Sequence, residues 1–528
     1  MTHNDITIAY WGDNTGAQNF AACHKLSDDI GQIPSDIERT VNTTTTKWIL
    51  FWHFDLGSPD NILIHELSNR LVDVFHTGLK LGVAGLPEVM NYVDPTWMYN
   101  IDCDADIEHT SFRLSLHACL IRTTALKQIL PIASHYTTIE MLSIATGYKL
   151  IKTGALIRYI PNLVKAQLHK YKPTPQDEWT FAREFYTTKW QTWIVLHKPG
   201  LFNNLRLWYK SRNVKRIKPR PAIHNSQERD ITTDSATISI LAPTLDRYPY
   251  LKRELEQLSV QTLPPHEILI TDQTDLERRE TIHTDLYPSL NIRIFPQIEK
   301  GQCIAWNKLL EESTSEYVFF VGDDADHITP DFLQRMLHTM RKFNADMVAS
   351  NVIEIGIPEK PINHHYYLSD TFPITLIKKS MLEKSGYMDM FFNRNVRADK
   401  DLATRCHLNG CLMIFNPTAT IHHHRAPVGG LRAHKARVIT GYMSKNSITR
   451  FALPTSSEIY FTKKYFNDVQ YRQYIRIKYL NQLFVSGSIL KSFLKVIVFL
   501  WRYPGIRKQY YQNLASANEA LQQLRTEK

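Results

Sequence analysis

Short apolar runs bounded by polar turns recur through the second half of the chain. TISILA (237–242), EILIT (267–271), YVFFV (317–321), DMVAS (346–350) and CLMIF (411–415) carry no sustained polar alternation. Runs of this length read as strands buried on both faces. Between them the apolar period lengthens to that of a helix, over Tyr250–Val260 and Asp331–Lys342. In the latter, Phe332, Leu333, Met336, Leu337 and Met340 share one face behind Pro330. Strands alternating with helices predict an α/β fold around a mostly parallel sheet. Ligands of such sheets lie beyond the carboxyl ends of the strands, so the residues there are where chemistry is sought.

The first half repeats this pattern in degraded form. LIRTTALKQI (120–129) returns as LIKKSMLEKS 256 positions later, and YTTK (186–189) as YMSK at the same offset. KWILFWHFD (47–55) resembles EYVFFVGDD (316–324). A polar stretch with two prolines and no periodicity, 211–235, separates the halves. The predicted organisation is a degenerate, noncatalytic domain over 1–190, a basic helical segment and linker over 191–235, an intact domain over 236–430, and a helical tail over 431–528.

Composition adds little; charge adds more. The 528 residues include 22% charged and 43% hydrophobic positions, as in ordinary globular proteins. Six scattered cysteines without a CxxC pair argue against a zinc ribbon or a disulfide framework and suit a reducing, cytoplasmic setting. The net charge of +10 is concentrated: 426–528 holds 17 Lys+Arg against 4 Asp+Glu, and 189–227 holds nine Lys+Arg and no acid. Basic, aromatic segments suit an anionic partner or a solvated helix face. The tail either lies on an anionic membrane, at the inner face in a cytoplasmic protein, or packs on the preceding domain. No signal peptide opens the chain, and the nearest thing to a membrane span, Ile489–Trp501, is short and interrupted by Lys491 and Lys495.

Three clusters carry candidate chemistry. VGDDADH places Asp323, Asp324 and Asp326 directly after an apolar strand. Carboxylates so close suit a hard divalent cation, Mn²⁺ or Mg²⁺, that also takes ligands from a substrate diphosphate. VRADKDLATR places Asp399 and Asp401 at the opening of a helix, as a general base or as partners of the helix dipole. IHHHRAP offers the imidazoles of His422, His423 and His424. A fourth acidic run, IDCDAD (Asp102, Asp104, Asp106), follows no apolar strand and reads as a loop. No GxGxxG follows a strand, no P-loop is present, and no nucleic-acid motif is evident, so no nucleic-acid partner is expected.

Taken together, residues 236–425 resemble a family 2 glycosyltransferase with the GT-A fold. ISILAPTLDRYPYLKRELEQLSVQT is similar to that family's opening strand, Pro-Thr turn and first helix, and EILITDQTD to its second strand. GQCIAWNKLLEES, EYVFFVGDDADHITPDFL and SGYMDMFF…RADKDLATRCHLNG follow in the family's order. The resemblance implies a nucleoside-diphosphate sugar held by Pro243, Thr244, Asp246, Asp272, Asp323 and Asp324. It implies a metal near Asp324, Asp326, His422 and His424, and a base at Asp399 with Asp401 in reserve. It implies inversion at the anomeric carbon and a glycan or lipid-linked acceptor, as in surface-polysaccharide assembly. Two departures stand out: Trp306-Asn307 where Arg-Asn is usual, and Ala398-Asp399 where Glu-Asp is usual. In the first half the nucleoside-binding portion is shortened, with 49 residues from Ile6 to Asp55 against 87 from Thr237 to Asp324. Only Asp55 stands at the place of the acidic cluster. Counting back from Gly147 as from Gly410, no carboxylate at Tyr136–Glu140 matches Asp399. A noncatalytic sugar-nucleotide or glycan-binding scaffold is the alternative reading.

Overall fold

The computed structural model describes residues 3–13, 17–83, 85–165, 171–222, 236–356, 366–369, 371–372, 374–424 and 441–526. The first unit is a six-stranded sheet: β1 (His3–Trp11), β2 (Phe20–Lys25), β3 (Trp48–His53), β4 (Val74–His76), β5 (Ala118–Arg122) and β6 (Ile157–Tyr159), in the order β2-β1-β3-β5-β4-β6. The second is nine-stranded: β7 (Ile238–Thr244), β8 (Glu267–Asp272), β9 (Ile292–Pro296), β10 (Tyr317–Phe320), β11 (Ala325–Asp326), β12 (Met347–Glu354), β13 (Tyr367–Leu368), β14 (Thr375–Lys378) and β15 (Met413–His423). Its main path is β11-β15-β12-β14-β10-β7-β8-β9.

The two sheets have the same core. In each, the first strand pairs in parallel with two neighbours (β1 with β2 and β3; β7 with β8 and β10). In each, one reversed strand, β5 or β14, joins this half to a second parallel pair. The tandem, helix-flanked α/β architecture expected from the pattern is therefore present twice. The second sheet adds β9 at one edge and β11 and β13 beside β15. It also inserts the helix Tyr248–Leu258 between its first two strands, where the first unit has only a short turn of 3-10 helix, Ala17–Asn19. The shortening foreseen for the nucleoside-binding portion is this missing helix and strand.

Strand register fixes which residues correspond. Trp48 and Tyr317 face Arg122 and Lys378 in their sheets, and Ile157 and Met413 face Val74 and Met347. The helix Ile139–Thr153 thus corresponds to Ala398–Leu408, and its left-handed terminator Gly154 to Gly410. The counterparts of Asp399 and Asp401 are Ser143 and Ala145, not the Tyr136–Glu140 stretch counted from Gly147. Gly147 lies inside the helix. The match of YTTK to YMSK is also not structural: Tyr186 terminates the helix Pro175–Phe185, whereas Tyr442 sits within Gly441–Lys445. The counterpart of Pro175–Phe185 is the tail helix Ser456–Tyr465. Buried Trp179, Phe181 and Tyr186 recur there as buried Ile459, Phe461 and Phe466, 280 positions on. The expected boundary at 190 falls inside the helix Thr188–His197, and the one at 430 outside the described residues.

The units share one apolar core. Phe112 and Leu114 of the first pack in the same cluster as Ala403 and Cys406 of the second. Polar contacts cross beside it: Arg158 donates to the Gly410 carbonyl (2.8 Å), Tyr99 to the Ser369 carbonyl (3.1 Å), and His407 lies 3.3 Å from the Cys103 thiol. Asp102 is the ion-pair partner of buried Arg113 within the Asp102–Asp106 loop. The IDCDAD run is therefore a loop, as its sequence suggests, at the seam between units.

Candidate functional site

The site lies where β7, β8, β10 and β15 end. Each strand is an apolar run, so its first polar residues emerge together at one edge. Thr244 ends β7 and donates to Asp323 (2.8 Å). Asp272 ends β8 and accepts from the Tyr248 hydroxyl (2.7 Å) and the Thr274 amide (2.9 Å). Pro243 is the penultimate residue of β7, opposite Thr271. Asp246 turns the chain with a positive φ of 59° and pairs with Arg278 (2.9 Å).

Asp323, Asp324 and Asp326 are all buried. Basic side chains already offset their charge. Arg247 reaches Asp323 (2.8 Å) and Asp324 (3.2 Å), and Arg253 reaches Asp326 (3.0 Å). Gln257, one helical turn beyond Arg253, donates to Asp326 (2.6 Å). On the far side β15 pairs antiparallel with β11, setting the histidine run against the acids. His424 contacts Asp326 (2.6 Å) and His423 contacts Asp324 (3.1 Å). His422 instead stacks on His327 with ring centres 4.3 Å apart. His423 and His424 thus meet the carboxylates, and His422 stands opposite Asp326 in the strand register.

Burial raises Asp323 to about 6, with Arg247 opposing and Asp324 reinforcing the shift. Burial acts in the same direction on Asp326, but hydrogen bonds from His424, Gln257, the His327 amide and Arg253 hold it well below the usual carboxylate range. Burial would lower His423, yet Asp324 and Glu354 keep it above its ordinary value. Glu254 lies fully buried with neither carboxylate oxygen hydrogen-bonded. Burial, with Asp323 and Asp324 nearby, holds it well above the usual range.

The donor set suits a hard or borderline cation: carboxylate oxygens with imidazoles behind them. Among the described residues no three acidic, imidazole or thiol groups are arranged as a ready metal cage. Mg²⁺ and Mn²⁺ do not need one, because one or two carboxylates and substrate phosphates suffice. Arg253 sits on the Asp326 oxygen a cation would use, but its side chain is 53% exposed and free to swing outward.

Asp399 is exposed in the first turn of Ala398–Leu408, behind Arg397 at φ 86°. It lines a cavity of about 250 Å³ with Gln302, Trp306, Phe320, Met388 and Gly322, the residue before Asp323. Trp306 packs on Phe320 (4.9 Å). Asn307 exchanges two hydrogen bonds with the Met388 backbone and so braces the cavity wall. Asp401 is not at the site. It is 0% exposed, on the helix's inner side, held by Arg405 (2.8 Å), Lys464 (3.0 Å) and Tyr465 (2.7 Å), and has no path to a substrate hydroxyl.

Sequence reading missed Arg247, Arg253, Gln257 and Glu254. Arg253 and Gln257, four residues apart, share one stripe of a half-exposed helix, a pattern too ordinary to single them out. In the first unit, Asp55 corresponds to Asp324 and Gly57 to Asp326, and Asp55 is exposed.

The family model for glycosyl transferase family 2 matches residues 239–402. An uncharacterized glycosyltransferase of Bacillus subtilis (strain 168), YwdF, is 33% identical over 125 residues, which are 23% of this chain and 44% of that protein. The chain thus spans under half the length of that relative. Among solved structures, S. aureus TarS 1–349 in complex with UDP-GlcNAc is 13% identical at a TM-score of 0.34, covering 54% of this chain and 92% of that one. A mannosyltransferase from Pyrobaculum calidifontis in complex with GDP-Man and Mn²⁺ is 15% identical at 0.34, covering 56% and 90%.

Proposed function

Residues 239–402 belong to glycosyltransferase family 2, and from that premise we propose that the chain moves a sugar from a nucleoside-diphosphate sugar to an acceptor hydroxyl, with inversion. The observation that carries this is a cavity lined both by Gly322, the residue before Asp323, and by Asp399. It joins the acidic strand end, where a donor's diphosphate belongs, to one solvent-accessible carboxylate.

In this reading Thr244, Asp246 and Asp272 frame the nucleoside at the ends of β7 and β8. Arg253 turns from Asp326 to the diphosphate and supplies the guanidinium that position 306 lacks. Asp399 takes the proton of the acceptor hydroxyl as that oxygen attacks the anomeric carbon. Trp306 and Phe320 wall the cavity and hold water away from the reacting carbon. Asp324 and Asp326, with His423 and His424 behind them, would hold Mn²⁺ or Mg²⁺, which would offset charge on the departing diphosphate. The acceptor is a glycan or a lipid-linked sugar, and surface-polysaccharide assembly is the setting the family resemblance favours.

The test is a donor panel with Mn²⁺ or Mg²⁺, following release of UDP, GDP or dTDP. One donor should turn over. Asp399→Asn should lower turnover by about 100-fold or more while donor binding persists, and Asp326→Asn should lose metal-dependent donor binding. Donor binding without release in the presence of any acceptor would favour the noncatalytic scaffold. No binding of any donor would overturn both readings.

A further inference from the structure

The long tail helix Ile489–Thr526 is inside out over its first turns. The fully buried side chain between Ile489 and Trp501 is a lysine: Lys495 is 0% exposed, and its ammonium donates to the carbonyl and hydroxyl of Ser444. The large apolar side chains point the other way. Ile489, Leu490, Phe493, Ile497, Leu500 and Trp501 are 49–91% exposed. At about 100° per residue these six fall within an arc of about 120°, with Lys495 diametrically opposite. A contiguous apolar face of this kind marks an interaction surface rather than a solvated helix.

Charge selects the partner. From Val469 to Asn518 the chain has eight Lys+Arg and no Asp or Glu. Lys491, Arg502, Arg507 and Lys508 stand exposed on the helix itself. A second copy of this face would bring like charges together. An anionic lipid surface offers both an apolar layer for the arc and phosphates for the basic residues. No described helix is long and apolar enough to cross a membrane, so the helix would lie in the interface.

We propose that the Ile489–Trp501 face docks the protein on an anionic lipid bilayer, with the apolar arc in the acyl boundary and Arg507 and Lys508, on the same side within two turns of its end, at headgroup phosphates. This stands independently of the transferase reading.

The test is co-sedimentation of the full chain with vesicles of phosphatidylcholine alone and of phosphatidylcholine with phosphatidylglycerol, roughly 7:3. The expected result is at least about tenfold stronger partitioning onto the anionic vesicles, weakened by salt. Phe493→Ser/Leu500→Ser/Trp501→Ser should lose about tenfold or more with an unchanged melting temperature, because none of the three is buried. Arg507→Glu/Lys508→Glu should weaken binding without touching the apolar arc. Undiminished binding by the triple variant, or no binding to anionic vesicles, overturns the proposal. So does a concentration-dependent dimer that the triple variant abolishes, which would identify a second copy as the occupant.

Discussion

Single residues at the site do more than their types announce. Asp326 and His424 were legible as a strand-end carboxylate and a histidine run, and they do meet. Arg247 and Arg253 were not, because a basic residue in a surface helix is ordinary and its partner lies more than seventy positions away. Asp401 looked equivalent to Asp399 in sequence; two positions along a helix turn a side chain by about 200°, from cavity to interior. Gly410 illustrates a backbone requirement. Its φ is 90°, and a Cβ there would lie 2.5 Å from the Glu108 carbonyl of the other unit. Gly410→Ala should therefore cost about 2 kcal/mol or more, combining left-handed strain with a clash against backbone. Urea denaturation would measure it; a loss below a few tenths of a kcal/mol would contradict the close approach.

At the scale of elements, five of the second sheet's strands were legible as short apolar runs; β15 extends eight residues past its run, and β9, β11, β13 and β14, weaker as apolar runs, were not read. Nor was the tail. Ser456–Tyr465 repeats Pro175–Phe185, but at an offset of 280 instead of 256, so the intervening insertion hid it. This helix braces the one that carries Asp399: Lys464 and Tyr465 both bind Asp401. Lys464→Met leaves that buried carboxylate with fewer donors and should cost about 1–3 kcal/mol. It should also lower kcat with little change in the donor KM, since no donor contact is lost. In an Asp401→Asn background the same substitution should cost distinctly less. Equal costs in both backgrounds would mean that the pair is not coupled.

The molecule as a whole is two copies of one sheet plan fused through a common core, and the cluster of Asp323, Asp324 and Asp326 belongs to the second. The fold is sensitive to acid, in the first unit's core at His76 and His117 and at the seam at His109 and His407. Burial lowers His76 and His407 to about 3, and His109 and His117 to about 4. The unfolded chain takes up these protons near pH 6.5. Between about pH 6.5 and 4 the unfolded state thus binds more protons, and folding stability falls as the pH falls. Each group contributes up to about 1.4 kcal/mol per pH unit. The melting temperature should drop steeply below about pH 6, and His407→Leu should flatten that slope; a slope unaltered by the substitution would count against the seam as its source. Residues 236–430 expressed alone should be poorly folded, because His407 loses its cover and Asp401 its lysine. The helix that carries those two residues is gripped at one end by the tail and at the other by the first unit, while its first turn presents the exposed Asp399. A chimera that borrows either gripping part from a relative would accordingly alter how fast sugar is transferred before it altered which sugar is chosen.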